Sequence, residues 1–151
     1  MINGLLVFNF ARENYLFIEI HTIMSTTRSP FKGTTGLRRI WNAYHYSLAG
    51  LISAYKHESA FRQELALGFP LIVIALLLPV SAMSKAFMVS AVLLVLIVEL
   101  LNSGIEAIVD RVSLEKHELS KRAKDIGSAA VFISLINCVV VWVFVIFDQF
   151  F

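Results

Sequence analysis

Ala86-Phe-Met-Val-Ser-Ala-Val-Leu-Leu-Val-Leu-Ile-Val-Glu99-Leu-Leu-Asn102-Ser-Gly-Ile-Glu106-Ala-Ile-Val109 decides how this chain is read. Up to Val98 it is apolar except for Ser90. At about 1.5 Å per residue the stretch is long enough to cross a hydrocarbon layer of about 30 Å. Glu99, Asn102 and Glu106 then interrupt it, and Asp110 closes it. At 100° per residue these four fall within an arc of roughly 80° on one helix face. A charged side chain at mid-bilayer costs about 2.5–3.5 kcal/mol even on a lenient insertion scale. A span with two glutamates and an asparagine on one face therefore needs a polar interior, and such residues point to function. Hydrogen-bonded glue between helices is the alternative. Asparagine or serine would serve as glue with less desolvation than two carboxylates.

Further stretches have the same character. Phe61 to Val80 is a span candidate, almost wholly apolar from Leu65, with Gly68 and Pro70 its helix irregularities. Ile126 to Phe147 is another. Pro79, Ser81 and Ser84 mark a tight turn between the first two spans, and polar Asp110 to Asp125 forms the second connection. Hydrophobic residues make up 58% of the 151 and charged ones 16%, with a mean hydropathy of +0.75. A soluble domain of this size would carry far more charge. The net charge of +2 gives a nucleic-acid partner no support. Cys138 is the only cysteine, which excludes an internal disulfide and a cysteine-based zinc site.

The basic residues set the orientation. Lys85 stands alone in the first connection. Arg111, Lys116, Lys121, Arg122 and Lys124 crowd the second, and Arg38, Arg39, Lys56 and Arg62 precede or open the first span. Cytoplasmic segments carry the excess of Lys and Arg. The N-terminus and the second connection are thus expected on the cytoplasmic side of the membrane, with the C-terminus on the opposite side.

Ahead of the spans, Leu37, Ile40, Trp41, Tyr44, Leu48, Leu51, Ile52 and Tyr55 recur at helical spacing. With Arg38 and Arg39 at its start, the stretch 36–56 reads as an amphipathic helix lying in the membrane interface. The fold expected is an all-α membrane protein, a surface helix followed by three transmembrane helices. Residues 1–35 read as an N-terminal extension, disordered or partly non-native. Residues 1–24 lack the basic start, continuous apolar core and cleavage site of a signal peptide. They suggest an upstream extension with Met24 the natural start.

Glu58 and Glu64 flank Arg62 at the entrance to the first span, and the i, i+4 spacing of Glu58 and Arg62 admits a surface ion pair. Glu115, His117, Glu118, Lys121, Arg122, Lys124 and Asp125 form a charged block, ordinarily a solvated loop, which is the reading for Glu118 and Lys121. Lys124 and Asp125 differ in standing at the membrane boundary, just ahead of the small residues Gly127, Ser128, Ala129 and Ala130. Acids for a divalent cation, a lysine for phosphates and a carboxylate to take a proton are the parts of metal-assisted phosphoryl transfer. No Gly-x-x-x-x-Gly-Lys-[Ser/Thr] loop, Asp-Phe-Gly or His-Arg-Asp is present, which excludes the common soluble kinase folds. On the residues alone, phosphoryl transfer and an ion or proton pathway through Glu99 and Glu106 stand equal.

Glu58-Ser-Ala-Phe-Arg-Gln-Glu64, Glu99-Leu-Leu-Asn-Ser-Gly-Ile-Glu106-Ala-Ile-Val-Asp110-Arg111, His117-Glu-Leu-Ser and Arg122-Ala-Lys-Asp-Ile-Gly-Ser-Ala-Ala130 closely resemble the bacterial diacylglycerol kinase family. The resemblance runs in order from about Gly36 to the C-terminus. It implies a homotrimer of three-span subunits with active sites between subunits near the cytoplasmic face. It implies transfer of the γ-phosphate of Mg-ATP to diacylglycerol, giving phosphatidic acid. Three helices cannot shield so many acids, whereas nine can.

Carried over by position, Glu99 resembles the general base, and Glu58 and Glu106 the Mg²⁺ ligands that also contact the nucleotide. Lys124 and Asp125 match the nucleotide-binding pair, and Glu115, Lys116 and His117 a nucleotide-contacting stretch. Arg39 and Tyr46 match further nucleotide contacts on the surface helix. Ala60, Phe61, Glu64 and Ser128 match lipid-side positions together with Glu99, and Asn102 and Asp110 supporting polar ones. The chain departs from the family at Asn42, Ala49 and Ile52, where better-known members carry basic residues. The undecaprenol kinases share the acid pattern. The Asp110-Arg111 pair and the His117-Glu-Leu-Ser and Gly127-Ser-Ala-Ala stretches resemble the diacylglycerol enzymes more closely. A proton relay would have no use for Ala-Lys-Asp or for Glu58 and Glu64.

Overall fold

The computed structural model describes residues 36–112 and 117–151, and among these every regular element is an α-helix. They are α1 (Leu37–His57), α2 (Ser59–Leu77), α3 (Ala82–Val112) and α4 (Glu118–Phe150). The chain divides into two units, residues 1–44 and 45–151, with the boundary inside α1.

Of the first unit, the described part is the start of α1. Gly36 adopts φ 74°, a left-handed conformation that glycine accepts without steric cost, and its carbonyl accepts from the Arg39 amide at 3.0 Å. Leu37, Ile40, Trp41 and Tyr44 are exposed, with the Trp41 and Tyr44 rings 6.3 Å apart.

The second unit holds the rest of α1 and the three long helices. α2, α3 and α4 are each long and apolar enough to cross a membrane. α2 and α4 both pack on α3. On α2 the inward residues are Phe61, Gly68 and Ala75, at heptad spacing; on α3 they are Met88, Ala91, Val92, Val95, Glu99, Asn102 and Ser103. The α3 stripe recurs every three or four residues, as one helix face requires. It is apolar from Met88 to Val95 and polar from Glu99 onward. Packing and chemistry thus occupy two ends of one stripe.

The turn between α2 and α3 is tight, and Pro79, Ser81 and Ser84 all take part in it or border it. Leu78 closes α2 by donating its amide to the Ile74 carbonyl at 3.0 Å. Ser81 Oγ accepts from the Ser84 amide at 3.0 Å, a side-chain cap on the first turn of α3. Lys85 Nζ donates to the Leu76 carbonyl at 2.7 Å, satisfying an acceptor that the end of α2 leaves open. Farther along, Trp142 Nε1 donates to the Met88 carbonyl at 3.3 Å, tying α4 to α3.

The second connection is shorter than Asp110 to Asp125. α3 continues to Val112 and α4 begins at Glu118, so Glu118 and Lys121 are helical rather than in a loop. Side-chain bonds account for the early start of α4. His117 is its N-cap, with Nδ1 accepting from the Leu119 amide at 3.2 Å. Lys121 and Asp125 then pair at 2.5 Å across one turn. Glu118 and Lys121 remain solvent-exposed, in keeping with a solvated reading of their charge.

Candidate active site

The polar end of the α3 stripe is where acids gather. Glu99 is only 4% exposed. Its carboxylate interacts electrostatically with those of Glu106, about two turns further along the same face of α3, of Glu58 before α2, and of Glu64 on α2. Three chain segments therefore bring three further carboxylates within electrostatic reach of Glu99. Spacing along α3 accounts for Glu99 and Glu106, but only the packing of α2 on α3 brings in Glu58 and Glu64.

Glu58 owes its position to a break in the helical path. It has extended backbone angles (φ −103°, ψ 113°) as the N-cap of α2, directly after α1 ends at His57. Its amide still donates to the Ala54 carbonyl at 2.8 Å. The Glu58–Arg62 ion pair admitted by the spacing is not among the ion pairs of the described residues. The i, i+4 geometry needs both residues on a continuous helix, and Glu58 is not on one. Arg62 Nη1 instead donates to the carbonyls of Tyr55 at 3.0 Å and Lys56 at 3.2 Å. A cation there neutralises the negative end of α1 and fixes the corner that presents Glu58.

Around the acids lie their orienting groups. Asn102 is 8% exposed, and its Nδ2 donates to Glu106 Oε1 at 3.1 Å. Asp110 Oδ1 accepts from Lys124 Nζ at 2.7 Å, joining the end of α3 to the start of α4. Lys124 also interacts with Glu106. It lies in the polar opening turns of α4, ahead of the apolar run from Ile126, and its hydrogen bond to Asp110 raises its pKa above the ordinary lysine value. Lys124 thus stands as a cation at the rim of the acid cluster. Asp125 is held by Lys121, not by Lys124.

Three buried polar atoms have no hydrogen-bond partner among the described residues: Glu64 Oε2, Asn102 Oδ1 and Ser103 Oγ. All belong to the acid cluster or adjoin it, and buried polar groups are rarely left so. Ser103, one turn from Glu99 on the same face, is a buried polar member of the stripe that the acid pattern alone does not single out. Its i+4 relation to Glu99 was the available signal.

Other expected site residues fall outside this cluster. Tyr46 and His117 are exposed, and Arg39 belongs to the first unit. Of the lipid-side positions, Phe61 is buried at 4% exposure, while Ala60 and Ser128 are exposed. Glu115 and Lys116 lie outside the described residues.

As for a metal, the described residues contain no group of three or more His, Cys, Asp or Glu arranged to hold one. Mg²⁺ usually retains several waters and is bound through one or two carboxylates plus substrate phosphates. Glu58, just ahead of α2, and Glu106, on α3, both lie within electrostatic reach of Glu99, and two carboxylates are the number such a cation takes from protein. The residues fit a hard cation that arrives with a phosphate.

Comparison with known proteins identifies the lineage. The sequence profile of the prokaryotic diacylglycerol kinases matches residues 45–146, which include every acid of the cluster. The chain belongs to the prokaryotic diacylglycerol kinase family. A diacylglycerol kinase of Pseudomonas aeruginosa is 60% identical over 114 residues, covering 76% of this chain and 93% of that protein. The diacylglycerol kinase of Escherichia coli K12 is 50% identical over 117 residues, 78% and 96% of the two chains. That of Haemophilus influenzae is 50% identical over 109 residues, 72% and 92%. The family resemblance read from the acid motifs is therefore correct, and it spans nearly the whole length of these relatives.

Proposed function

We infer that this chain is an ATP-dependent diacylglycerol kinase of a bacterial inner membrane, forming phosphatidic acid from diacylglycerol. Membership of the family at up to 60% identity supports the reaction. The observation that carries the site is the convergence of Glu58, Glu64, Glu99 and Glu106 at the polar end of a membrane-spanning helix.

In the mechanism proposed, Glu99 accepts the proton of the lipid hydroxyl as its oxygen bonds to the γ-phosphorus. The bond from the γ-phosphorus to the β–γ bridging oxygen breaks, and ADP leaves. Burial of Glu99 among apolar helices suits a base that must receive a hydroxyl arriving from within the bilayer. Glu64, Ala60, Phe61 and Ser128 line the lipid's approach. Glu58 and Glu106 would hold Mg²⁺, which when bound would neutralise charge on the phosphates. Asn102 orients Glu106. Lys124, positioned by Asp110, meets the phosphate oxygens, and Arg39, Tyr46, Glu115, Lys116, His117 and Asp125 are further candidate nucleotide contacts by their match to the family.

We place the N-terminus and this site on the cytoplasmic face and the C-terminus in the periplasm, since Lys and Arg crowd that side of the spans. α1 lies in the interface with its aromatic residues toward the acyl region. The active oligomer is a homotrimer. Long exposed apolar faces on all three spans are what a further copy of the chain would cover. Residues 1–35 form an extension outside the kinase domain, which comprises 36–151.

Phosphate transfer from labelled ATP in mixed micelles tests the reading, with diacylglycerol and undecaprenol offered together and Mg²⁺ present or absent. Magnesium-dependent labelling of diacylglycerol is expected. Preferential labelling of undecaprenol would move the chain to the sister chemistry, and transfer to neither would leave a relay as the better account.

A further inference from the structure

Gly127 is the one member of the small-residue run Gly127 to Ala130 that is buried; Ser128, Ala129 and Ala130 are exposed. Its backbone is ordinary helix, since Gly36 is the only glycine with positive φ among the described residues. Glycine weakens a helix relative to alanine, so conformation gives no reason for it here. Space does. A Cβ at Gly127 would collide with Asn102 Oδ1 and lie 3.2 Å from Asn102 Cγ and 3.8 Å from Asn102 Cβ. These three nearest atoms all belong to one side chain, and none is backbone of α3. The missing methyl therefore makes room for an amide rather than for close approach of two helices.

That amide is already committed. Asn102 is 8% exposed, its Oδ1 is buried without a partner among the described residues, and its Nδ2 donates to Glu106 Oε1 at 3.1 Å. An amide with one end holding a carboxylate and the other end against a bare helix surface has little freedom to turn.

We propose that Gly127 is a positioning residue for the Mg-nucleotide site: its bare backbone seats the Asn102 amide, which in turn sets the carboxylate of Glu106. The inference rests on the reading of Glu106 as a ligand of the nucleotide's metal. A methyl at position 127 meets the end of a side chain rather than the backbone of α3, so the amide gives way before the helices do. The helices stay packed, and the loss falls on Glu106.

The experiment is a double-mutant cycle of Gly127→Ala and Asn102→Ala in the full-length, detergent-solubilised protein. Affinity for Mg²⁺ with a non-hydrolysable ATP analogue is measured by calorimetry, and the thermal midpoint without ligand is measured alongside. Gly127→Ala is expected to keep its midpoint close to that of the parent and to weaken nucleotide binding at least roughly tenfold, the scale of one charge-assisted hydrogen bond. Asn102→Ala should weaken binding similarly, and adding Gly127→Ala to it should change nothing further. Parental affinity in Gly127→Ala, or losses that multiply in the double variant, would overturn the proposal. Should Gly127→Ala alone fail to fold, recovery of folded protein in the Asn102→Ala background supports the seat, and failure to recover overturns it. Glu106→Gln separates the two readings. An unchanged Mg²⁺ dependence there sinks the ligand assignment, while the coupling of residues 102 and 127 still judges the seat.

Discussion

Arg62→Met should damage nucleotide handling more than it damages the fold. The guanidinium donates to two carbonyls at the end of α1, at 3.0 and 3.2 Å, and methionine keeps most of its aliphatic length while removing both donors. A hydrogen bond from a charged group is worth about 1.5–3 kcal/mol when well shielded. Arg62 is only half-buried and competes with water, so interaction with an exposed helix terminus, about 0.3–1 kcal/mol, is the nearer guide for each contact. Together the two contacts come to about 0.6–2 kcal/mol. The corner they brace presents Glu58, the residue directly between α1 and α2. If that energy holds Glu58 in place for the metal, its loss raises the KM for Mg-ATP about three- to thirtyfold, because 1.4 kcal/mol is a factor of ten. Steady-state kinetics with ATP varied at saturating diacylglycerol would show the rise, with kcat and the KM for lipid changed far less. Arg62→Lys should recover part of the effect, since one ammonium can reach one carbonyl but cannot fork to two. A KM for Mg-ATP in Arg62→Met equal to the parent's would refute the reasoning, as would a loss confined to the lipid KM.

Trp142→Phe removes the bond to the Met88 carbonyl at the apolar end of the stripe. Interhelical hydrogen bonds in membranes average about 0.6 kcal/mol and reach about 1.7. Thermal unfolding should therefore show a small loss, while kcat and both KM values stay at parental levels, since Met88 lies about 16 Å along α3 from Glu99. Lys124→Met should behave in the opposite way. Its ion pair with Asp110 is partly exposed and worth less than about 1 kcal/mol of stability, yet affinity for Mg-nucleotide should fall at least roughly tenfold when the charge is lost. Calorimetric titration beside a melting curve would separate the two effects.

The three spans were legible in the sequence because length and hydropathy mark the hydrocarbon layer directly. Their ends were less so. Runs expected at 86–109 and 126–147 lie inside helices Ala82–Val112 and Glu118–Phe150. Hydropathy falls where the bilayer ends, but backbone hydrogen bonding continues wherever polar side chains cap and pair, as Ser81, His117 and the Lys121–Asp125 pair do here. The acid face of α3 was visible for a similar reason: helical periodicity is local, and four polar residues in an apolar run stand out. What stayed hidden depends on contacts between segments. Nothing in the spacing places Glu64 beside Glu99, or gives Gly127 a reason to be glycine. Arg62 illustrates the limit well. A rule valid within a continuous helix paired it with Glu58, and the extended backbone at Glu58 removed the premise.

The most direct test of the account is Glu99→Gln, a near-isosteric change at the acid around which the cluster is built. Turnover and Mg-nucleotide affinity should be measured on the same preparation. A general base is worth about 10²–10⁴ in rate. Phosphatidic acid formation should fall by that factor while affinity for Mg²⁺ with a non-hydrolysable ATP analogue stays within a few-fold of the parent. Near-parental turnover, or turnover and nucleotide affinity lost in equal measure, would contradict the assignment of Glu99 as the base and of the α3 acid cluster as the catalytic centre.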